Sequence, residues 1–161
     1  MKDYEEVSDL MLSGTDQENL LREQNECVFI WRRSDGWPVG VVMSYVWRER
    51  KLWLTASRQR PRVPAVRRDG RVSVAISSAG TRMPAATVTI RGRCEIFQDA
   101  ETKRWFYPAL AAALIRDNPK QQAAFVAMLD SPRRIIMCVT PEHFITFDGR
   151  KMGQLGVNSD D

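Results

Sequence analysis

Thr87-Val88-Thr89-Ile90-Arg91-Gly92-Arg93-Cys94-Glu95-Ile96 alternates apolar and polar side chains more cleanly than any other stretch of this chain. A period of two places Val88, Ile90, Cys94 and Ile96 on one face of an extended segment and Thr87, Thr89, Arg91, Arg93 and Glu95 on the other, which predicts a half-buried antiparallel strand. Gly92 inside that strand predicts a bulge or bend, the usual way an antiparallel sheet curls toward closure.

Working outward toward the N-terminus, Val72, Val74 and Ile76 alternate with Arg71, Ser73, Ala75 and Ser77, a further strand with one apolar face. Leu52 to Ala56, Val39 to Trp47 and Cys27 to Trp31 are earlier strands, separated by the charged reversal Arg48-Glu49-Arg50-Lys51 and by turn chemistry at Ser34-Asp35-Gly36. Pro38 opens a strand where its missing N–H costs little. Before these, Val7, Leu10, Met11, Leu20 and Leu21 recur at helical spacing with a break at Ser13-Gly14-Thr15, so one or two short helices are expected from Tyr4 to Leu21.

Toward the C-terminus the period changes. Trp105, Phe106, Ala109, Leu110, Ala113 and Leu114 follow i, i+3, i+4 spacing and predict a helix that ends at Asp117-Asn118-Pro119. Asn118 as N-cap, Pro119 in the first helical position and Gln121 three residues past the cap then start a second helix through Phe125, Met128 and Leu129. Ile135 to Val139 and Phe144 to Phe147 are the last strands, divided by Pro141-Glu142, and regular structure is expected to end at Asp148-Gly149. Six or seven antiparallel strands, with helices only at the start and between the fifth and sixth, predict a mainly β, closed or split barrel with peripheral helices. A parallel α/β sheet is excluded because helices and strands do not alternate.

The 161 residues, 43% of them hydrophobic, suit a single domain with a real core. The expected layout is an N-terminal helical cap over 1–24, a barrel over 25–153 with a helical insertion at about 100–130, and a flexible tail over 154–161. No stretch reaches the ~18 apolar residues of a membrane span. The acidic start Lys2-Asp3-Tyr4-Glu5-Glu6 lacks a signal peptide's order, so a cytoplasmic protein without a membrane partner is expected. Cys27, Cys94 and Cys138 are far apart, with no Cys-x-x-Cys or nearby His, and read as small buried hydrophobes rather than a disulfide framework or zinc site.

The net charge of +4 is less informative than its placement. Cations concentrate from Arg58 to Arg71, where Ser57-Arg58-Gln59-Arg60-Pro61-Arg62 leaves a predicted strand, whereas both chain ends are acidic. That favours a local anion site such as a phosphate-tailed cofactor requires, and the absence of helix-turn-helix, zinc-finger or RNP-like patterns disfavours nucleic acid. Guanidinium groups are planar, permanently charged and suited to bidentate phosphate contacts. The sole histidine, His143, cannot support a Ser-His-Asp arrangement and reads as exposed or structural rather than as a haem ligand. No Gly-rich phosphate loop, metal-ligand cluster or nucleophile elbow is present, so catalytic side chains and metal ligands are both expected to be none, and any chemistry falls to a bound cofactor. The five tryptophans read as core or dimer packing, with Trp37 and Trp47 open to a planar ligand.

Taken in order, Asp35-Gly36-Trp37-Pro38, Leu52-Trp53-Leu54-Thr55, Arg67-Arg68-Asp69-Gly70-Arg71-Val72-Ser73, Val88 to Glu95 and Phe144 to Lys151 resemble the pyridoxamine 5'-phosphate oxidase-like split-barrel superfamily, in its branch of small flavin- or deazaflavin-dependent oxidoreductases. The resemblance runs from about Asn25 to Gly153. It implies a six-stranded antiparallel split β-barrel of the FMN-binding type, homodimeric, with the cofactor at the subunit interface. It further implies that backbone groups of Val41, Val42, Met43 and Ser44 hold the polar ring edge, that Thr55 and Ala56 lie at the end of the third strand, and that Arg60 and Arg62, with Arg58 as a third candidate, grip phosphate. The function it implies is an FMN-dependent oxidoreductase moving hydride to or from a small organic substrate; the alternatives are a reductase using the deazaflavin coenzyme F-420, and a non-catalytic flavin- or haem-binding module. Pyridoxamine phosphate oxidation itself is less expected, because the C-terminal substrate-binding residues of true oxidases find no match in the tail. Where the family commonly shows a basic residue, two spacers and Asn-Leu, this chain has Arg62-Val63-Pro64-Ala65-Val66, and Pro64 predicts a distorted turn of helix. Arg60 and Arg62 also make the pocket more cationic than usual, as a longer polyanionic tail would suit.

Overall fold

A computed structural model describes residues 7–157. A short 3₁₀ turn (Ser8–Leu10) and helix α1 (Gly14–Glu23) precede strands β1 (Glu26–Arg32), β2 (Pro38–Ser44), β3 (Val46–Arg48) and β4 (Lys51–Ser57). Helix α2 (Arg62–Arg68), β5 (Arg71–Ser77), β6 (Ala86–Phe97), α3 (Ala100–Leu114), α4 (Pro119–Leu129), β7 (Arg134–Asp148) and α5 (Gly149–Val157) follow. The strands form one antiparallel sheet in the order β2-β1-β5-β6-β7-β4-β3. Side chains from the concave face of this curled sheet make one core, including Phe29, Leu54, Val74, Ile90 and Met137, and α1 caps it through Leu20 and Leu21. Each such fully buried apolar side chain contributes about 1.5–3 kcal/mol.

The mainly β barrel with peripheral helices is as expected, but the strands number seven rather than the six of the resembling family. Two strand boundaries also depart from expectation, and they cancel in the count. The expected second strand is split at Tyr45, whose amide turns away to the Asn25 carbonyl (2.9 Å) and whose hydroxyl donates to the Leu21 carbonyl (3.0 Å). β2 and β3 thereby pair at opposite edges of the sheet, and Tyr45, 1% exposed, carries the chain across the seam between them. The expected sixth and seventh strands instead fuse into β7, because Pro141 falls opposite Gly92 at a register shift, where Arg91 pairs with His143 and Gly92 with Pro141. A proline at a bulge removes no ladder hydrogen bond that the sheet needs.

The helices follow their sequence signals. Ser13 and Asn118 cap α1 and α4 by accepting from the Asp16 and Gln121 amides at 3.0 Å, and Asp99 caps α3 through the Thr102 amide at 2.8 Å. α3 and α4 cover the convex face of β4 and β7, where Trp53, Phe106, Tyr107, Leu129 and Ile136 form a second core. Trp105 meets Trp53 edge to face at 4.9 Å. All three cysteines are free and buried, with burial the first cause of raised thiol pKa values, to about 12 at Cys27 and Cys138. At the C-terminus α5 continues past Gly149, where regular structure was expected to stop, held by Arg150 on Asp148 and Asp16. The expected N-terminal helix began at Tyr4 and the expected tail ended at Asp161; Tyr4 to Glu6 and residues 158–161 lie outside the described residues. No helix of the described residues is long and apolar enough to cross a membrane.

Candidate functional site

The candidate site is built where β4 ends. Ser57 closes the strand, the Arg60 amide donates to the Ser57 carbonyl (2.9 Å), and the Val63 amide donates to the Arg60 carbonyl (2.9 Å), so a tight turn hands the chain directly to α2. α2 forms despite Pro64, which corrects the expectation of a distorted turn. Pro64 falls in the first turn, where its absent N–H is one of the groups a helix leaves unbonded in any case. Val63, Ala65 and Val66 of this helix are buried in the barrel core and fix its orientation.

This packing sets the three arginines differently. Arg58 and Arg60 are exposed, while Arg62 is half buried at the head of α2, and its Nε is buried with no hydrogen-bond partner. Burial, and then the neighbouring Arg60 charge, lower the Arg62 pKa. A buried guanidinium nitrogen without an acceptor, crowded by a second cation, is the condition an anion relieves. The residues present therefore fit a phosphate.

The remaining expected site residues lie on β2 and β4. Val41 and Met43 point into the core, Val42 points outward and is 65% exposed, and Ser44 is half buried. β2 is an edge strand, so half of its backbone amides and carbonyls face away from β1 without a sheet partner, available to the polar edge of a ligand. Ala56 is buried in the core and can offer only its backbone. The Thr55 hydroxyl donates to the Ile135 carbonyl at 2.8 Å, which leaves it only acceptor lone pairs for a ligand.

Two features were not read from the sequence. The first is a second pair of cations: the Arg58 amide donates to the Arg133 carbonyl (2.8 Å) and Ser57 pairs with Arg134, which brings the α4–β7 connection beside the arginine turn. The doublet Pro132-Arg133-Arg134 is visible in the sequence, but nothing there places it next to Ser57. The second is the uncovered convex face of the sheet. Register aligns Val42, Val28, Ala75, Thr89 and Ile145 in one row across five strands, beside a row of Gly40, Ile30, Ser73, Arg91 and His143. Val42 and Ile145 are 65% and 54% exposed, and Trp37, at the start of β2, is 71% exposed. These exposed apolar side chains stand among the polar Ser73, Thr89, Arg91 and His143 of the same face.

The family model described as pyridoxamine 5'-phosphate oxidase matches residues 16–147. Among solved structures, a conserved hypothetical protein from Mycobacterium tuberculosis superposes with a TM-score of 0.79 at 18% identity, covering 91% of each chain. A FAD-binding protein from Mesorhizobium loti gives a TM-score of 0.63 at 17% identity, over 84% of this chain and 94% of that one. A protein named as an F-420 reductase gives 0.59 at 21% identity, over 80% and 94%. At these identities the likeness shows the fold. No curated protein matches the chain by sequence.

Proposed function

The chain belongs to the pyridoxamine 5'-phosphate oxidase family, and from that premise we propose that it is a homodimeric oxidoreductase that binds a flavin-type cofactor by its phosphate at Arg60 and Arg62. The carrying observation is the buried, unpartnered Nε of Arg62 beside a second guanidinium at the end of a core strand. A bound flavin supplies reversible hydride transfer at its ring, which no side chain of this chain can supply. The protein's part is then to hold and orient. Arg60 and Arg62 anchor the anionic end, Arg58 adds a screened charge, and the free edge of β2 from Val41 to Ser44 offers amides and carbonyls to a polar ring. Arg58 and Arg60 lie on the exposed surface of one chain, so a second copy would supply the wall that excludes water from a planar ligand.

FMN is the smallest cofactor with the required phosphate, and the deazaflavin coenzyme is the second reading, supported by the surplus of cations. Haem would need an axial ligand. His143 is exposed and pairs with Arg91, nine residues along β7 from Arg134, so it does not share the arginine site.

Mass spectrometry of the molecule that copurifies, followed by FMN titration into Arg60→Ala/Arg62→Ala, tests the proposal. Losing two charge-assisted contacts is expected to cost about 2–4 kcal/mol of binding after non-additivity. Unchanged affinity would reduce the pair to a solvated turn.

A further inference from the structure

A groove of about 340 Å³ opens where α3 meets the end of β6 and the last turn of α4. Its lining combines the charged Lys103, Arg104 and Asp130 with the apolar Pro108, Val126 and the ring of Tyr107. None of Arg58, Arg60 and Arg62 lines it, so it is separate from the arginine turn.

Tyr107 is 2% exposed, and its hydroxyl is buried with no hydrogen-bond partner among the described residues. The ring packs in the second core beside Phe106, with centroids 6.0 Å apart. The charges acting on the hydroxyl locate it: burial raises the phenol's pKa, Arg134 opposes the rise and Asp130 adds to it. Asp130 lines the groove with a side chain 68% exposed, so the hydroxyl end of Tyr107 faces the groove and the ring faces the core. A buried hydroxyl without a partner carries its desolvation cost uncompensated. An acceptor arriving through the groove relieves it.

The lining also selects the acceptor. Two cations stand against one carboxylate, so the groove favours an anion. Lys103 meets Asp130 only at 3.6 Å, and an ammonium has three donors to distribute. One net positive charge and one hydroxyl match the two oxygens of a carboxylate, whereas a phosphate dianion would be left half neutralised. We propose that this groove binds a small organic carboxylate, one oxygen accepting from the Tyr107 hydroxyl and the other from the Lys103 ammonium, with its apolar part against Pro108 and Val126. The site stands apart from the flavin reading and does not depend on it.

The test titrates sodium benzoate into the full-length protein and follows backbone amide shifts by NMR. Saturable shifts are expected from Lys103 to Tyr107 and from Val126 to Asp130, with neither benzamide nor inorganic phosphate reproducing them at the same concentration. Tyr107→Phe keeps the ring and removes the hydroxyl; it is expected to weaken benzoate about fivefold or more while melting no lower than the unmodified protein. Asp130→Asn removes the competing carboxylate and is expected to tighten benzoate. Absence of saturable shifts at the groove, an equal response to benzamide or phosphate, unchanged binding in Tyr107→Phe, or weaker binding in Asp130→Asn overturns the proposal. Should Tyr107→Phe not fold, Lys103→Gln reads the same loss of affinity.

Discussion

Gly92 lies against the carbonyl oxygen of Thr140 so closely that a Cβ at position 92 would overlap it. The contact falls at the register shift between β6 and β7, where the long hairpin bends and the sheet curls around its core. The obstacle is backbone on the partner strand, not the end of a flexible side chain, so it cannot step aside cheaply.

Gly92→Ala is therefore expected to destabilise the fold by about 1–3 kcal/mol through overpacking at the bulge. Denaturant titration should show a lower midpoint with an unchanged slope. A neutral result would mean that the bulge does not set the curvature.

The hairpin from β3 to β4 turns at Glu49 and Arg50, with φ of 54° and 57°. Two consecutive left-handed residues make the turn that Asn-Gly favours, and here side chains with a Cβ pay for it. Glu49→Asn/Arg50→Gly is expected to raise stability by about 0.5–1 kcal/mol. Thermal melting checks this, and a fall would show that the Arg48–Glu49 contact at 3.2 Å outweighs the backbone term.

If the homodimer proposed above pairs through the convex row of Val42, Val28, Ala75, Thr89 and Ile145, a charge there should weaken it. Val42→Asp or Ile145→Asp, each at an exposed position, should shift the protein toward monomer in light scattering while leaving its circular dichroism unchanged. A dimer that survives both changes would move the interface off this face.

Arg150 holds the buried Asp148 through paired contacts to both carboxylate oxygens and reaches Asp16 at 2.8 Å. The Arg150 hydrogen bonds put the Asp148 pKa below its ordinary value. A carboxyl depressed in the folded state adds stability that is complete above the unfolded pKa of about 4 and is lost as the pH falls through the folded value. The melting temperature should fall on acidification, and Arg150→Gln should narrow that dependence. Parallel curves for the two proteins would detach the cluster from acid stability.

Legibility in the sequence followed the range of the interaction. The alternation from Thr87 to Ile96, the Asn118-Pro119 cap and the turn at Arg48 to Lys51 are local, and each appears in the structure where the sequence put it. The misjudged strand boundaries failed for a non-local reason: Tyr45 breaks its strand to satisfy Asn25 and Leu21, and Pro141 is tolerated only because Gly92 lies across from it. The arginine turn was legible because strand end, turn and cations are contiguous from Ser57 to Arg62.

By itself, the sequence determined a single antiparallel barrel with helices set outside it, and a cationic turn after one core strand, because periodicity, capping and charge density act over a few residues. Tertiary structure alone decided that Tyr45 bridges the sheet's two edges, that Arg62 keeps a buried nitrogen without a partner, and that the backbone of Arg133 and Arg134 runs beside Ser57 and Arg58. Those depend on which strands pair and in what register, and register is fixed by burial across the whole sheet rather than by any one segment.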